Sequence, residues 1–422
     1  VFYLRCMKKV LISLKNDRTV KSTTLMVGGH AVANVGAYLY HLFMGRLLIP
    51  ADYGVLQSLL SLSNILSVPL VTLNTVVAKF VSTYVGKGDQ GKITSLYYQV
   101  RKGLFVIFIV GGSLFLLLTG FIVNFLHLDT WVNVLILDLA LFFGLVNIIN
   151  RATLQGLALF VPLTIAQFIE AYGKLILGVV AVFLGLGVPG AFGAFVLIIF
   201  ISYGYMVKVL QKKLGNFTYH PLPVRAMSRY AVPSALMTVG VTALYNTDVV
   251  LVRHYLSSYE AGLYAALSVL GKIIFFGTAP VTTTMFPLVS EAHAKGETFH
   301  RIFLLSLMFL LAIAGAVTII FALAPALVMR IMIGAQYIDA APYLAPFSIF
   351  LSLCSVIFLF TNFFLSIHRT QAVYVVVAGA IVQAVAIVLY HANISSVITI
   401  SLTVATIITV ILSLYYIYVA RS

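Results

Sequence analysis

The sequence predicts an all-α polytopic membrane protein with 12 transmembrane helices in two parallel-repeat six-helix lobes around a central cavity. Three observations lead to this prediction: an apolar composition, apolar spans that alternate with basic connectors, and an internal repeat. Hydrophobic residues make up 62% of the 422 residues and charged residues only 9%, whereas a soluble domain carries roughly 25% charged residues. The chain is therefore expected to fold in lipid.

Apolar runs of transmembrane length occur throughout the chain. A helix needs about 20 mainly apolar residues to cross the hydrocarbon core. Runs of this kind lie at approximately 22–44, 54–82, 103–126, 131–151, 160–184, 188–208, 230–252, 260–289, 302–328, 342–366, 371–390 and 395–419. We expect a basic cytoplasmic N-terminal segment (1–21), an N-lobe of six spans (22–208), a cytoplasmic linker (209–229) and a C-lobe of six spans (230–419).

The basic residues give the chain an orientation. There are 26 lysines and arginines against 11 acidic residues, a net charge of +15. With the N-terminus inside, 21 of the 26 fall on the cytoplasmic side, and Arg46, Arg253 and Arg330 fall outside. Lys174 and Lys272 remain within spans. Because cytoplasmic loops collect basic residues, we expect both termini in the cytoplasm and no nucleic-acid partner.

The repeat relates two stretches, 52–89 and 260–297, at a constant offset of 208 residues. Its matched positions are Asp52 with Glu260, Gly54 with Gly262, Thr75 with Thr283, Val81 and Ser82 with Val289 and Ser290, and Lys87, Gly88 and Asp89 with Lys295, Gly296 and Glu297. An even number of spans per copy makes both copies enter the membrane in the same direction. The repeat is therefore parallel, about an axis along the membrane normal, as in some transporters.

Several segments carry a resemblance to a known family. They are residues 45–92 (GRLLIPADYGVLQSLLSLSNILSVPLVTLNTVVAKFVSTYVGKGDQGK), 150–156 (NRATLQG), 170–178 (EAYGKLILG), 248–264 with its AGLY ending, and 334–337 (GAQY). In this order the chain resembles the prokaryotic polysaccharide and oligosaccharide-lipid flippases, an O-antigen-flippase-like family. These belong to the multidrug/oligosaccharidyl-lipid/polysaccharide exporter superfamily, and the similarity covers nearly the whole chain.

The resemblance implies a fold and an activity. The two lobes would form a V around the cavity, and undecaprenyl-pyrophosphate-linked oligosaccharide, a polysaccharide precursor, would be flipped from the cytoplasmic to the outer leaflet by alternating access. The expected location is the prokaryotic plasma (inner) membrane. The expected partners are the polyprenyl-pyrophosphate-linked glycan, membrane lipids, a polysaccharide polymerase and glycosyltransferases. No cofactor or metal is expected beyond Na⁺ or H⁺ as a coupling ion.

Ionisable residues inside spans are the first site candidates, because a charge at the bilayer centre costs about 2.5–3.5 kcal/mol. Lys272 lies near the middle of its span, and no carboxylate lies three or four residues away on that helix. We expect its ammonium group to face the cavity and attract the pyrophosphate. The alternative is an ion pair with a carboxylate from another span.

A second intramembrane lysine has an acidic neighbour. Lys174 lies at a depth comparable to Lys272, and Glu170 precedes it by four residues, the order that favours pairing on a helix. We expect Glu170 and Lys174 to form a charge couple on the cavity wall, with Glu170 able to take a proton or Na⁺. The alternative is a structural pair that eases insertion of the helix.

Further candidates lie near the ends of spans. Asp248 is expected about 6–9 Å below the outer surface, where it binds a cation, caps an outer gate with Arg253, or bonds neighbouring backbone. Arg46 and Arg253 flank the outer mouth symmetrically and favour anionic cargo, or they anchor lipid head groups. Arg151 has the same two roles at the cytoplasmic side.

Polar residues lie in the first span of the N-lobe, and prolines lie in the second span of each lobe. Asn34 and His30 are expected to line the cavity or to bond across helices, and a proton relay is a further role for His30. Pro69 and Pro280 are expected to break the long second helix of each lobe.

Two other function classes are weighed against the flippase. A cation-coupled multidrug antiporter of the same superfamily should have a cavity dominated by carboxylates, whereas this chain places two lysines at mid-depth. A membrane-embedded glycan polymerase or ligase typically uses a sizeable outer loop, and the longest outer connector here has about 10–15 residues. No metalloprotease, Walker, nucleophile-elbow or DxD motif is present. The sequence therefore favours a transporter over an enzyme.

Overall fold

A computed structural model describes residues 18–222, 224–295 and 298–421. Most of the expected N-terminal segment 1–21 thus lies outside the described residues. The helices of the first half are α1 (Arg18–Leu47), α2 (Pro50–Leu66), α3 (Val68–Gly86), α4 (Gln90–Leu117), α5 (Thr119–Phe125), α6 (Val132–Gly156), α7 (Phe160–Phe183) and α8 (Gly187–Gln211).

The second half continues the helical architecture. Its helices are α9 (Val224–Leu244), α10 (Thr247–Tyr255), α11 (Ser258–Ala294), α12 (His300–Leu323), α13 (Pro325–Met332), α14 (Ala341–Ser366), α15 (Gln371–Leu389) and α16 (Ile394–Arg421), with a 3₁₀ helix at Ala335–Ala340. Within the described ranges there is no strand. Ten helices there are long and apolar enough to cross a membrane, or eleven if the bent pair α9 and α10 forms one span. The predicted all-α polytopic class is confirmed.

The second helix differs between the two copies. The first copy is divided at Ser67 into α2 and α3, directly before Pro69. Proline lacks the N–H that would continue the helix, so a break at Pro69 agrees with the prediction. The second copy, α11, runs without interruption through Pro280 and Pro287. The break expected at Pro280 was therefore wrong, because α11 tolerates the missing hydrogen bonds as membrane helices often do.

The repeated acidic residue lies at the start of this helix in both copies. Glu260 is part of a capping box, because the Ser257 hydroxyl accepts from the Glu260 N–H at 3.2 Å and the Glu260 carboxylate accepts from the Ser257 N–H at 3.2 Å. Asp52 occupies the first turn of α2, after Pro50. An acid in the first turn offsets the positive end of the helix dipole, which explains why both copies carry one.

The chain divides into two compact units, which differ from the lobes expected at 22–208 and 230–419. Unit 1 consists of residues up to 43, 73–116 and 138–224. Unit 2 consists of 44–72, 117–137 and the chain from 225 onward. Unit 2 thus contains two stretches of the first half, and each of them packs on helices of the second half.

The contact between α2 and α11 inside unit 2 depends on two glycines. A Cβ atom on Gly54 would lie 2.9 Å from the backbone nitrogen of Gly262, and a Cβ atom on Gly262 would overlap the carbonyl oxygen of Pro50. Gly54 and Gly262 are equivalent positions of the 208-residue repeat. Equivalent residues of two copies contact each other only close to the axis that relates the copies. The contact between Gly54 and Gly262 therefore agrees with the symmetry inferred from the sequence.

Gly262→Ala is expected to destabilise the protein by about 1–3 kcal/mol, because the new methyl group would force apart two backbones rather than two flexible side chains. Gly277→Ala is the matched control on the same helix, since a Cβ atom there meets nothing within 4 Å. The measurement is thermal unfolding of the purified variants in one detergent. Equal melting temperatures for the two variants would show that α2 and α11 do not pack this closely.

Candidate functional site

In unit 1, the carboxylate of Glu170 on α7 is surrounded by polar partners from two other helices, α6 and α8. Arg151 of α6 forms an ion pair with it, Asn147 donates its amide to Oε1 at 3.3 Å, and Ser202 of α8 donates its hydroxyl to Oε1 at 2.7 Å. Asn147 and Ser202 are buried, while Arg151 and Glu170 each keep 22% of their side-chain surface exposed. This arrangement stabilises the charged carboxylate by Coulomb attraction and by hydrogen bonds.

Lys174 does not form the couple that the sequence predicts with Glu170. Its ammonium nitrogen lies 4.5 Å from the centre of the Tyr40 ring and 5.6 Å from that of Phe195. The Tyr40 hydroxyl donates to the carbonyl oxygen of Ala191 at 3.1 Å, which fixes the ring under the ammonium group. Glu170 forms its direct ion pair with Arg151 on a neighbouring helix and interacts with Lys174 only at longer range. The aromatic faces attract the ammonium group of Lys174.

In unit 2, Lys272 is held at an interruption between two helices. The bend between α9 and α10 is 41°. The amide oxygen of Asn246, at that interruption, accepts from the Lys272 ammonium group at 3.0 Å, and the Tyr245 ring centre lies 5.7 Å from the same nitrogen. Among the described residues, Lys272 forms no ion pair with a carboxylate. Within that part of the chain Lys272 therefore has no direct ion pair, and Asp248 is the acidic residue that interacts with it electrostatically at longer range.

The freed backbone groups at this interruption are satisfied by side chains. Asn246 donates its amide to the Thr242 carbonyl at 3.0 Å, and Gln383 of α15 donates to the Leu244 carbonyl at 3.0 Å and to the Ser401 hydroxyl at 2.9 Å. Such bonds allow a helix to remain interrupted in lipid. Interrupted spans of this type form the substrate and ion sites of many transporters.

Asp248 lies two residues beyond Asn246 and is fully buried. Its carboxylate accepts from the Tyr264 hydroxyl at 2.6 Å and from the backbone N–H of Val249 at 2.9 Å. The backbone bond agrees with one of its three expected roles. Arg253 contacts other groups, so the expected cap of Asp248 with Arg253 is not formed.

The two outer arginines bind the ends of short helices within unit 2. Arg253 donates to the carbonyl oxygens of Leu126 (2.9 Å) and His127 (2.8 Å), directly after α5. Arg46 donates to the carbonyl oxygen of Ile331 at 2.6 Å, in the last turn of α13. A cation at a helix C-terminus compensates the helix dipole. The pattern is reciprocal, because each arginine belongs to one half of the chain and binds the short helix of the other half.

The GAQY motif contributes to the same region of unit 2. The amide of Gln336 donates to the carbonyl oxygens of Gly45 (2.5 Å) and Leu48 (2.8 Å), and the Tyr337 ring stacks edge-on against Tyr53 at 5.7 Å. We call this set of contacts, together with those of Arg46 and Arg253, the outer clasp. Two segments that carried the family resemblance, 45–48 and 334–337, thus contact each other.

Two further candidates lie on α1. Asn34 is exposed, and the side chain of His30 lies outside the part of the chain that the structure describes. The nine candidates are therefore not one cluster. Glu170 and Arg151 meet in unit 1 beside Lys174, while Lys272 and Asp248 share the α9–α10 interruption in unit 2. Sequence analysis missed Asn246 and Ser202, and the signal for both was a polar residue within an otherwise apolar helix.

Comparisons with known proteins agree with this architecture. A family profile described as "Polysaccharide biosynthesis protein" matches residues 43–342. The chain belongs to the polysaccharide biosynthesis protein family. A comparison with curated proteins found no match. The candidate spans and the shared fold are those of a multi-pass membrane protein.

Solved structures share the fold at low sequence identity. One is an inward-facing multidrug resistance MATE family transporter of the MOP superfamily, with a TM-score of 0.74, 12% identity, and coverage of 93% of this chain and 99% of that one. A second is the lipid II flippase MurJ in an inward closed conformation, with a TM-score of 0.71, 13% identity, and coverage of 94% of this chain and 88% of that one. A third is a MOP superfamily transporter from Pyrococcus furiosus, with a TM-score of 0.60, 15% identity, and coverage of 93% of each chain.

Arg151→Gln is expected to lower the free energy of unfolding by about 2 kcal/mol, because it leaves a half-buried carboxylate without its counter-charge. Combining it with Glu170→Gln should cost less than the sum of the two single changes, since the orphaned charge is then absent. The measurement is a double-mutant cycle by thermal unfolding in detergent. Lys295→Gln is the control, because its ion pair with Glu291 is more than half exposed and should contribute little. Strictly additive effects at Arg151 and Glu170 would contradict the pairing.

Proposed function

We propose that this polysaccharide biosynthesis protein flips undecaprenyl-pyrophosphate-linked oligosaccharide from the cytoplasmic to the outer leaflet of a prokaryotic plasma membrane, with both termini cytoplasmic. The observation that carries the proposal is Lys272, a mid-span cation at an interrupted helix with an amide and an aromatic ring as partners instead of a carboxylate. A charge at this depth without a direct ion pair is costly, and a ligand of opposite charge would offset that cost. The ligand with matching chemistry is a polyanionic head group on an apolar anchor.

The first half of the chain supplies comparable cations. Within the described ranges, Lys174 lies on aromatic rings without a carboxylate in salt-bridge contact, whereas Arg151 is paired with Glu170. We assign Lys174 and Lys272 to the head group. Arg151 takes part only when Glu170 releases it, for example when Glu170 binds a proton. In the alternating-access cycle these cations would attract the pyrophosphate while the polyprenyl chain stays in lipid.

Coupling to a cation is assigned to Asp248 and Glu170. Asp248 is fully buried and has hydrogen-bond donors but no cationic partner in salt-bridge contact among the described residues. Such a carboxylate binds H⁺ or Na⁺ readily. The same observation favours the second candidate function, a cation-coupled multidrug antiporter. The two functions differ in the charge of the cargo, which is anionic for the flippase and cationic for the antiporter.

Outward release requires the outer clasp to open. Its bonds run from side chains to backbone carbonyls at helix ends, and each can be exchanged for water when the helices separate. The proposed cycle therefore opens the clasp at one stage and closes it at another. Arg46 and Arg253 act in this scheme as gating residues, and their contact with anionic cargo is limited to the open state. A polymerase and glycosyltransferases are proposed as partners that consume and supply the glycan.

Lys272→Gln is expected to reduce flipping of a fluorescent polyprenyl-pyrophosphate oligosaccharide by about tenfold or more, because it removes a charge-assisted contact to the pyrophosphate. Lys272→Arg should retain a larger share of the activity. The measurement is accessibility of the labelled glycan to an external reagent in proteoliposomes of equal protein content. Lys213→Gln in the exposed connector is the control for loss of one positive charge. Undiminished flipping by Lys272→Gln, or transport of cationic drugs instead of the glycan, would overturn the proposal.

Arg253→Gln is expected to loosen the outer end of α2, because Arg253 lies on α10, which packs against α2, and its two hydrogen bonds anchor α10 to the end of α5. Ser58→Cys provides the probe, since Ser58 is fully buried one turn after Gly54. We expect a membrane-impermeant maleimide to label Ser58→Cys several times faster in the Arg253→Gln background. Arg330→Gln is the control, an exposed arginine in the last turn of α13. Equal labelling rates in both backgrounds would show that Arg253 does not control closure.

A further inference from the structure

A cleft in unit 1 combines two cations with an aromatic wall. It has a volume of about 480 Å³, and its lining includes Arg101, Lys102, Phe105, Phe142, Phe143 and Tyr203 from α4, α6 and α8. None of these residues belongs to the charged clusters described above. A volume of this size is typical of small-ligand sites, which range from about 300 to 1,000 Å³.

The guanidinium group of Arg101 is oriented by phenol hydroxyls. Arg101 donates to the Tyr203 hydroxyl at 2.7 Å and more weakly to the Tyr97 hydroxyl at 3.5 Å, and its central carbon lies 5.9 and 6.0 Å from the centres of the same two rings. Tyr97 is fixed in turn, because its hydroxyl donates to Asn150 at 2.8 Å. Phenols position the guanidinium without neutralising it. Three of its five N–H donors remain for a ligand.

No carboxylate compensates these cations. In the described chain, the ion pairs join Lys92 to Asp89, Arg151 to Glu170 and Lys295 to Glu291. Arg101 and Lys102 take part in none of them. Lys102 is exposed beside the half-buried Arg101, so two adjacent positive charges face the cleft mouth. Two cations with free donors match a phosphate group, which accepts bidentate bonds from arginine.

The aromatic wall extends from these cations into the apolar part of the unit. Phe105 lies one helical turn beyond Arg101 on α4, and its ring contacts that of Phe142 at 6.1 Å. The rings of Phe142 and Phe143 are 5.0 Å apart, and Phe143 contacts Phe200 at 5.2 Å. Arg151 lies near the end of α6, and Phe142 precedes it by nine residues. At 1.5 Å per residue, Phe142 is therefore about 13 Å farther from that end of the helix. The cleft is therefore cationic at one end and apolar over the next two turns.

We propose that this cleft binds an anionic phospholipid of the surrounding membrane, with its phosphate at Arg101 and Lys102 and an acyl chain against Phe105, Phe142 and Phe143. Basic pockets between transmembrane helices at the cytoplasmic side are suited to anionic lipid head groups. In this proposal the two cations bind the lipid phosphate, and the phenylalanine rings contact the acyl chain. The site would hold a resident lipid, separate from the cargo bound near Lys272, and it does not depend on the cargo's identity.

The test is native mass spectrometry of the full chain, delipidated and then equilibrated with phosphatidylglycerol or with phosphatidylcholine. The wild type should retain one phosphatidylglycerol molecule in preference to phosphatidylcholine. Arg101→Gln/Lys102→Gln should weaken that binding about thirtyfold, as expected for two basic groups at a lipid head group. Lys212→Gln/Lys213→Gln removes the same charge from the exposed connector and should leave it unchanged. Equal weakening in both double variants, or equal retention of both lipids, would overturn the proposal.

Two further measurements distinguish a specific lipid site from diffuse electrostatic attraction. Tyr203→Phe keeps both cations but removes the oxygen that orients Arg101, and it should weaken phosphatidylglycerol binding about tenfold. An unchanged affinity in Tyr203→Phe would contradict the site. Inorganic phosphate at millimolar concentration should displace little of the lipid, because it has no chain to contact the phenylalanines. Full displacement by phosphate would show that the cleft binds free anions and would overturn the lipid assignment. Melting temperatures of all variants without lipid control for misfolding.

Discussion

The close approach of α2 to α11 at Gly54 and Gly262 is the constraint on which the arrangement of unit 2 depends. Only glycine lets two helix backbones come within van der Waals distance at this point. Because α2 lies so close, the segment that precedes it brings Gly45, Arg46 and Leu48 to the second half of the chain. The bonds to Ile331 and Gln336 follow from that position. The outer clasp is thus a consequence of two missing side chains.

A second constraint is the treatment of charge away from water. Glu170 receives a full set of partners, whereas the two mid-span lysines receive amide oxygens or aromatic rings in place of carboxylates. A polar network satisfied in this way fixes geometry while leaving net positive charge. The chain therefore tolerates an electrostatic cost at Lys174 and Lys272 and avoids it at Arg151. This difference separates the ion pair that links helices from the two lysines to which we assign the proposed head group.

The sequence predicted those features that depend on composition along the chain. Apolar length gave the helical class, and the constant offset of 208 residues gave the equivalence of Gly54 and Gly262. Contacts between side chains of different helices were harder to predict. The spacing of Glu170 and Lys174 indicated neighbours on one helix, but it carried no information about Arg151 on another. The interruption at Tyr245 and Asn246 has neither proline nor glycine within it, so its only signal was one asparagine in an apolar run. The polar groups that stabilise it, such as Gln383, come from distant parts of the chain.

The reciprocal bonds of Arg46 and Arg253 have an evolutionary consequence. Each arginine comes from one half of the chain and binds the short helix of the other half, so neither half supplies the partner of its own arginine. In an ancestor with a single copy, the same bond would have joined two identical subunits across a twofold axis. Gene fusion would then have converted an intermolecular contact into an intramolecular one. After fusion the two ends would have been free to diverge. This would explain why Arg46 donates one hydrogen bond to its short helix whereas Arg253 donates two.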